Sequence, residues 1–249
     1  MFKKLKQIFS GMAVFAVAAV VLPSGQIVSV PQVAVDKSPA LESITFIHYR
    51  DGLVKPAFPG KGGGSTVCYG FISKDAKLTA IEDVFVNPDN SGMSDLIVLN
   101  QTSNSLTEWD NHTSANIFGS TAFDYSANFD SIADGKNEIS FGPYDNASVI
   151  AVTRVWGIFS GPTFARRIDQ FDILFNTTYS WGDVAETGNA NLMDYINIAT
   201  HEIGHGLGLA DLYNTCTNET MYGYSTEGEI SKRDLNTGDI QGLQKLYGV

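Results

Sequence analysis

The 249-residue sequence predicts an α/β (α+β) fold, a mixed twisted sheet packed by three main helices. Three observations predict it. Short runs rich in β-branched and aromatic residues recur between Leu78 and Thr177, bounded by turn residues. One helical pattern interrupts them early, at 92–109. Two more helical patterns, from Leu192 and from Asn236, close the chain.

Each element has its own signal. LTAIEDVFVN reads as a first strand. In the helix at 92–109, Leu99, Leu106 and Trp109 share a face. STAFDYS, NEISFG after the Asp134-Gly135 turn, SVIAVTRVWGIF and the stretch 167–177 read as four further strands. The next helix carries Ile196, Ala199, Ile203 and Leu207 at helical spacing, and Gly206 and Gly208 stop it. For the last helix, Asn236 is the cap, Asp239 stands at the third position and Leu235 staples to Ile240.

Upstream, Lys3, Lys4 and Lys6 precede an uncharged apolar run from Gly11 to Leu22. A basic start and about a dozen apolar residues fit a secretory signal peptide and are short for a membrane span. Residues 1–28 are therefore expected to be a signal peptide, or an anchor if left uncleaved, since no A-x-A site follows. Residues 29–66 read as an extended leader in which SITFIHYR forms one short strand and PAFPGKGGGST is a Gly/Pro-rich linker. The globular domain is expected over 67–249.

Charge narrows the partners. Loss of the three lysines takes the net charge from −11 to −14, which disfavours nucleic acid and anionic lipid. A secreted, extracellular monomer is expected, touching a membrane only through an uncleaved N-terminus. Export places Cys68 and Cys216 in an oxidising compartment, where an even pair forms a disulfide. The other use of Cys68, capping a metal in a latent form, is the alternative. Five N-x-S/T sequons, at Asn100, Asn111, Asn146, Asn176 and Asn218, give weak support for glycosylation.

The chemistry is concentrated in HEIGHGLGLAD, residues 201–211. His201 and His205 project from one helix face about a turn apart, a spacing that lets two imidazoles hold one Zn²⁺. Two of the four histidines in the chain fall here; His48 and His112 are the others. Glu202 is placed to take a proton from a metal-bound water. No histidine follows His205, so the third ligand is a carboxylate: Asp211, after the turn that Gly208 permits, or a distant Glu227 or Glu229.

The run H-E-x-x-H-x-x-G-x-x-D resembles the extended zinc motif of the metzincin metallopeptidases, some of which end it in Asp. Thr220-Met221-Tyr222-Gly223 is similar to their Met-turn, a methionine beneath the metal; alone, Met221 would read as a core residue. DIQGLQKLYG and FDILFNTTYSW resemble the final helix and the preceding strand of matrixins, a metzincin branch. Asn176 and Tyr179 stand where many matrixins have acidic cation ligands, and no D-x-[DN]-x-[DN]-G loop supports Ca²⁺ either. The resemblance implies a metzincin-like domain with one catalytic Zn²⁺ on His201, His205 and Asp211, and a sheet edge at Ile150–Arg154 above the cleft. It implies a zinc endopeptidase acting on protein or peptide substrates, with Glu202 as general base. Tyr222 and Tyr224 receive no role. The alternatives are another zinc hydrolase with a distant glutamate ligand, and a non-catalytic zinc-containing surface binding protein.

Overall fold

The computed structural model describes residues 41–52 and 67–249, together with the backbone of two short strands before them. Those strands, β1 (Val17–Val21) and β2 (Ile27–Pro31), form an antiparallel pair in a separate unit, residues 1–40. The rest of the expected signal peptide, and the linker at 53–66, lie outside the described residues. Among the described residues, no helix is long and apolar enough to cross a membrane.

In the unit Leu41–Val249 the strands are β3 (Glu42–Arg50), β4 (Glu82–Val86), β5 (Phe118–Phe123), β6 (Asn137–Gly142), β7 (Val149–Ile158), β8 (Arg167–Asn176), β9 (Trp181–Gly182), β10 (Met193–Asp194) and β11 (Tyr224–Ser225). The helices are α1 (Asp95–Asp110), the single turn α2 (Val184–Thr187), α3 (Tyr195–Gly206) and α4 (Thr237–Tyr247). Seven strands make one mixed sheet in the order β11-β3-β7-β8-β6-β4-β5. β4, β5, β6 and β8 run parallel, and β7 is antiparallel to both its neighbours, β3 and β8.

Two features depart from expectation. SITFIHYR is a strand, but it belongs to the sheet: β3 pairs with β7 from Glu42↔Gly157 to Tyr49↔Val149. Ile150–Arg154 is therefore interior to the sheet, not its edge, because β3 supplies the main-chain partners that an edge would lack. The buried face of α1 is the second. Its centre is Val98, Thr102, Ser105 and Trp109, while Leu99 is half-buried. Leu106 and Trp109 are buried as expected, but apolar periodicity misses the middle of this face, where two small hydroxyl residues sit. They are satisfied by side chains of α3's residues: Thr102 Oγ1 lies 2.7 Å from Tyr195 Oη, and Thr200 Oγ1 donates to Ser105 Oγ at 3.0 Å.

The core lies between the sheet and helices α1 and α3. Phe141, Phe175, Trp181 and Tyr195 pack as an aromatic group with ring centroids 5.0–6.4 Å apart, a spacing at which edge-to-face pairs add stability beyond burial. Trp109 Nε1 donates to the Thr200 carbonyl at 2.9 Å, which binds the C-terminal end of α1 to the middle of α3. Asp194 caps α3, accepting from Asn197 N at 3.0 Å, and its carboxylate also takes Arg233 and Val184 N. Cys68 and Cys216 are disulfide-bonded across 148 residues, tying the start of this domain to the loop after Asp211.

Candidate metal centre

Helix α3 is buried on nearly every side, because the sheet covers one face and the 209–221 segment and β3 cover the other. His201 and His205 are 0 % and 1 % exposed. Gly208 ends the helix at φ +104°, where an L side chain would be strained and its Cβ would also meet the Ala76 carbonyl oxygen at 2.5 Å. That turn brings Asp211 back against the imidazoles: its Oδ1 is 3.2 Å from His201 Nε2 and 3.4 Å from His205 Nε2.

The proton positions on the imidazoles follow from their other partners. His201 Nδ1–H donates to the Thr220 carbonyl at 2.7 Å, and His205 Nδ1–H to the Leu209 carbonyl at 2.9 Å. A carbonyl oxygen has no proton to give, so each Nδ1 carries the hydrogen and each Nε2 turns a lone pair toward Asp211. His201 Nε2 and Asp211 Oδ1 are buried and make no hydrogen bond. His201, His205 and Asp211 each offer a ligand atom, all within 4.8 Å of one another, an arrangement that could hold a cation. Tetrahedral ligands at about 2.0–2.1 Å from zinc stand about 3.3–3.4 Å apart, so these separations fit that ion. Burial lowers the His201 imidazole to about 4.

The rival carboxylates are engaged elsewhere. Glu227 accepts from Arg50 Nε at 2.8 Å, and Glu229 from the buried Lys232 Nζ at 2.9 Å. Lys232 also donates to the Tyr224 carbonyl and to Ser225 Oγ, which holds the chain around β11. Asn176 and Tyr179 serve as local pins: Asn176 Nδ2 donates to the Val149 carbonyl at 2.7 Å and Tyr179 Oη to the Ala147 carbonyl at 2.7 Å. Asn176 is 1 % exposed, so its sequon is closed to a glycan in the folded chain. A separate acidic group, Asp130, Glu138 and Asp172, lies on neighbouring strands and the loop before them, and burial raises Asp172 to about 8.

Met221 is 2 % exposed and packs under α3 at Gly204. A Cβ at Gly204 would overlap Met221 Sδ and stand 2.8 Å from Trp109 Cζ2. Asp239 fixes this turn from the start of α4, accepting from Thr220 N at 2.7 Å, Met221 N at 3.1 Å and Asn236 N at 3.0 Å. One carboxylate thus closes the capping box at α4 and positions the methionine.

Glu202 is fully buried, and burial raises its carboxyl. Both oxygens have partners from the sheet: His48 Nδ1 lies 2.9 Å from Oε1, and Thr153 Oγ1 donates to Oε2 at 2.5 Å. Phe46 stacks on His205 with centroids 4.0 Å apart and planes 10° apart. Tyr213, pushed far above the ordinary phenol range by burial and by Asp211, lines a cavity of ≈ 450 Å³ with Asp211, Ile44, Phe46 and Tyr49. Sequence reasoning missed His48, Phe46, Thr153 and Tyr213. The one available signal was a histidine, scarce in this chain, on an alternating strand.

Comparison with known proteins decides the family. A family model described as Matrixin matches residues 84–248, more than half of the chain. The chain is a matrixin. This matrixin is 34 % identical over 77 residues to matrilysin from Homo sapiens, 31 % of this chain and 27 % of that protein. It is 29 % identical over 110 residues to the hatching enzyme of Paracentrotus lividus, covering 44 % and 17 % of the two chains. It is 30 % identical over 77 residues to matrix metalloproteinase-2 of Drosophila melanogaster, covering 31 % and 10 %. The matched stretches are thus less than a third of each relative's length. The matrixin family is one of zinc endopeptidases, and the metzincin-like α/β fold expected from the sequence is the fold observed.

Proposed function

We propose that this chain is a secreted zinc endopeptidase in which His201, His205 and Asp211 hold the metal and Glu202 is the general base. The observation that carries the reading is the convergence of two Nε2 lone pairs and a carboxylate oxygen at 3.2–3.4 Å, beside a buried glutamate. Zinc, when bound, supplies a Lewis acid that makes water acidic near neutral pH and polarises a carbonyl. Glu202 takes a proton from the attacking water and passes it to the leaving amine. Thr153 holds one oxygen of Glu202, so the carboxylate keeps its direction while it works. Asp211 brings a full negative charge where a histidine would bring none, which tempers the metal's acidity without removing it. Met221 gives the ligands an apolar floor, and the Thr220 carbonyl fixes the ring of His201.

The substrates are proteins or peptides, taken by a monomer outside the cell. Export is supported by the basic, apolar N-terminal sequence and by the disulfide. The test is Glu202→Gln. Metal content, measured by mass spectrometry, stays at one zinc per chain, while hydrolysis of a quenched peptide falls about 10²–10⁴-fold. Unchanged turnover would remove Glu202 from the mechanism.

A further inference from the structure

Both imidazoles of the metal centre are held by one main-chain device, but the two copies of it end differently. His205 Nδ1–H donates to the Leu209 carbonyl at 2.9 Å. At the other end of that peptide group, Ala210 N–H donates to the Gly70 carbonyl at 3.0 Å. His201 Nδ1–H donates to the Thr220 carbonyl at 2.7 Å. At the other end of that peptide group, Met221 N–H donates to Asp239 Oδ1 at 3.1 Å. The first relay ends on a neutral carbonyl and the second on a carboxylate.

That difference has a chemical consequence. A peptide group that donates at one end accepts more strongly at the other, because neighbouring hydrogen bonds polarise each other by about 10–30 %. An ionised acceptor polarises it more, since hydrogen bonds to charged groups are roughly twice as strong as neutral ones. An imidazole whose Nδ1–H meets a stronger acceptor is in turn a more basic and better oriented ligand at Nε2. Asp239 is placed to exert this effect. It is 1 % exposed, and it accepts from main-chain N–H groups of Thr220, Met221 and Asn236. Burial raises its carboxyl to about 6, which leaves it ionised at neutral pH. The neighbouring carboxylate of Glu219 accepts instead from Gly238 N at 2.8 Å and Asp239 N at 3.2 Å, so it serves the start of α4.

We infer that Asp239 is a positioning residue for the metal centre: its carboxylate acts through the Thr220–Met221 peptide group on His201, making that imidazole a stronger and better oriented ligand than His205. This rests on the metal-ligand reading above. The start of α4 is thereby coupled to a zinc ligand through a single peptide group. The two imidazoles, alike in sequence and in burial, are unequal as donors.

The experiment compares the two ring protons by NMR in the full chain, with its histidines isotope-labelled, zinc-free and zinc-loaded. Asp239→Asn keeps the shape of the side chain, removes its charge and turns an NH₂ toward one of the main-chain N–H groups. The His201 Nδ1–H resonance moves upfield, that of His205 stays, and zinc affinity by chelator competition falls about 10–100-fold. Glu219→Gln, at the same helix start, lowers the melting temperature but leaves both ring resonances and zinc affinity unchanged. A His201 resonance that stays in place, or two rings that move together, would overturn the inference. Deuterium fractionation in the wild type gives a second measurement that leaves the turn undisturbed and needs no variant to fold. The His201 ring proton, being more strongly bound, is poorer in deuterium than that of His205; equal fractionation overturns the inference. A wild type that takes up no zinc would end the metal-ligand reading, while the ring protons of the zinc-free chain still decide whether Asp239 acts on His201.

Discussion

The Thr220 carbonyl oxygen lies 2.7 Å from His201 Nδ1, so the turn that carries Met221 also sets the tautomer of the first imidazole. A ring whose Nδ1 is fixed as a donor can only present Nε2 as a lone pair. His205 is fixed in the same way by its own C-terminal turn, through Leu209. Both imidazoles are therefore oriented by backbone carbonyls that lie four and nineteen residues from the rings they hold.

Asp211→Ala should lose zinc, whereas Glu229→Gln should keep it. Asp211 Oδ1 is within 3.4 Å of both imidazole nitrogens, and Glu229 is committed to Lys232. The affinity loss for Asp211→Ala should exceed the roughly 10–100-fold typical of outer partners of a metal ligand. Competitive titration with a zinc chelator measures both variants.

Gly204→Ala should destabilise the domain by about 1–3 kcal/mol, the usual cost of overpacking a filled core. The added Cβ overlaps Met221 Sδ and presses on Trp109. Met221→Leu conserves volume and should cost under about 1.5 kcal/mol with zinc retained. Chemical unfolding with metal analysis of both variants separates packing from ligation.

The contribution of Asp172 to stability should fall as pH rises from about 4 to about 8. Burial lifts its folded pKa to about 8, above the unfolded value of 3.8. The folded state therefore keeps a proton that the unfolded state loses, and unfolding becomes easier across that window. Above pH 8 this contribution is flat. Asp172→Asn should raise the melting temperature at pH 8 and leave it little changed at pH 4, by about 2–4 °C for each kcal/mol gained. Melts in a chelating buffer, which keeps cations from the Asp130–Glu138–Asp172 group, check the sign.

Much was legible because its causes are local. The i, i+4 histidines, the glycine turn before Asp211, the cap at Asn236 and the strand at Asn137–Gly142 each depend on residues a few positions apart. The buried face of α1 was harder, since Thr102 and Ser105 are core residues only by virtue of hydroxyl partners on Tyr195 and Thr200.

By itself the sequence determined the pairing of His201 and His205 on one helix face, Glu202 beside them, the alternation of strands and helices, and a short list of carboxylates that could join the imidazoles. The tertiary structure alone decided that Asp211 faces the imidazoles while Glu227 and Glu229 pair with cations. It also decided that β3 leaves the leader to join β7, bringing His48 to Glu202 across 154 residues. The reason is physical: spacing along a helix is written in side chains, but strand pairing is made by main-chain groups common to every residue. Which strand finds which edge is settled only when the whole sheet assembles.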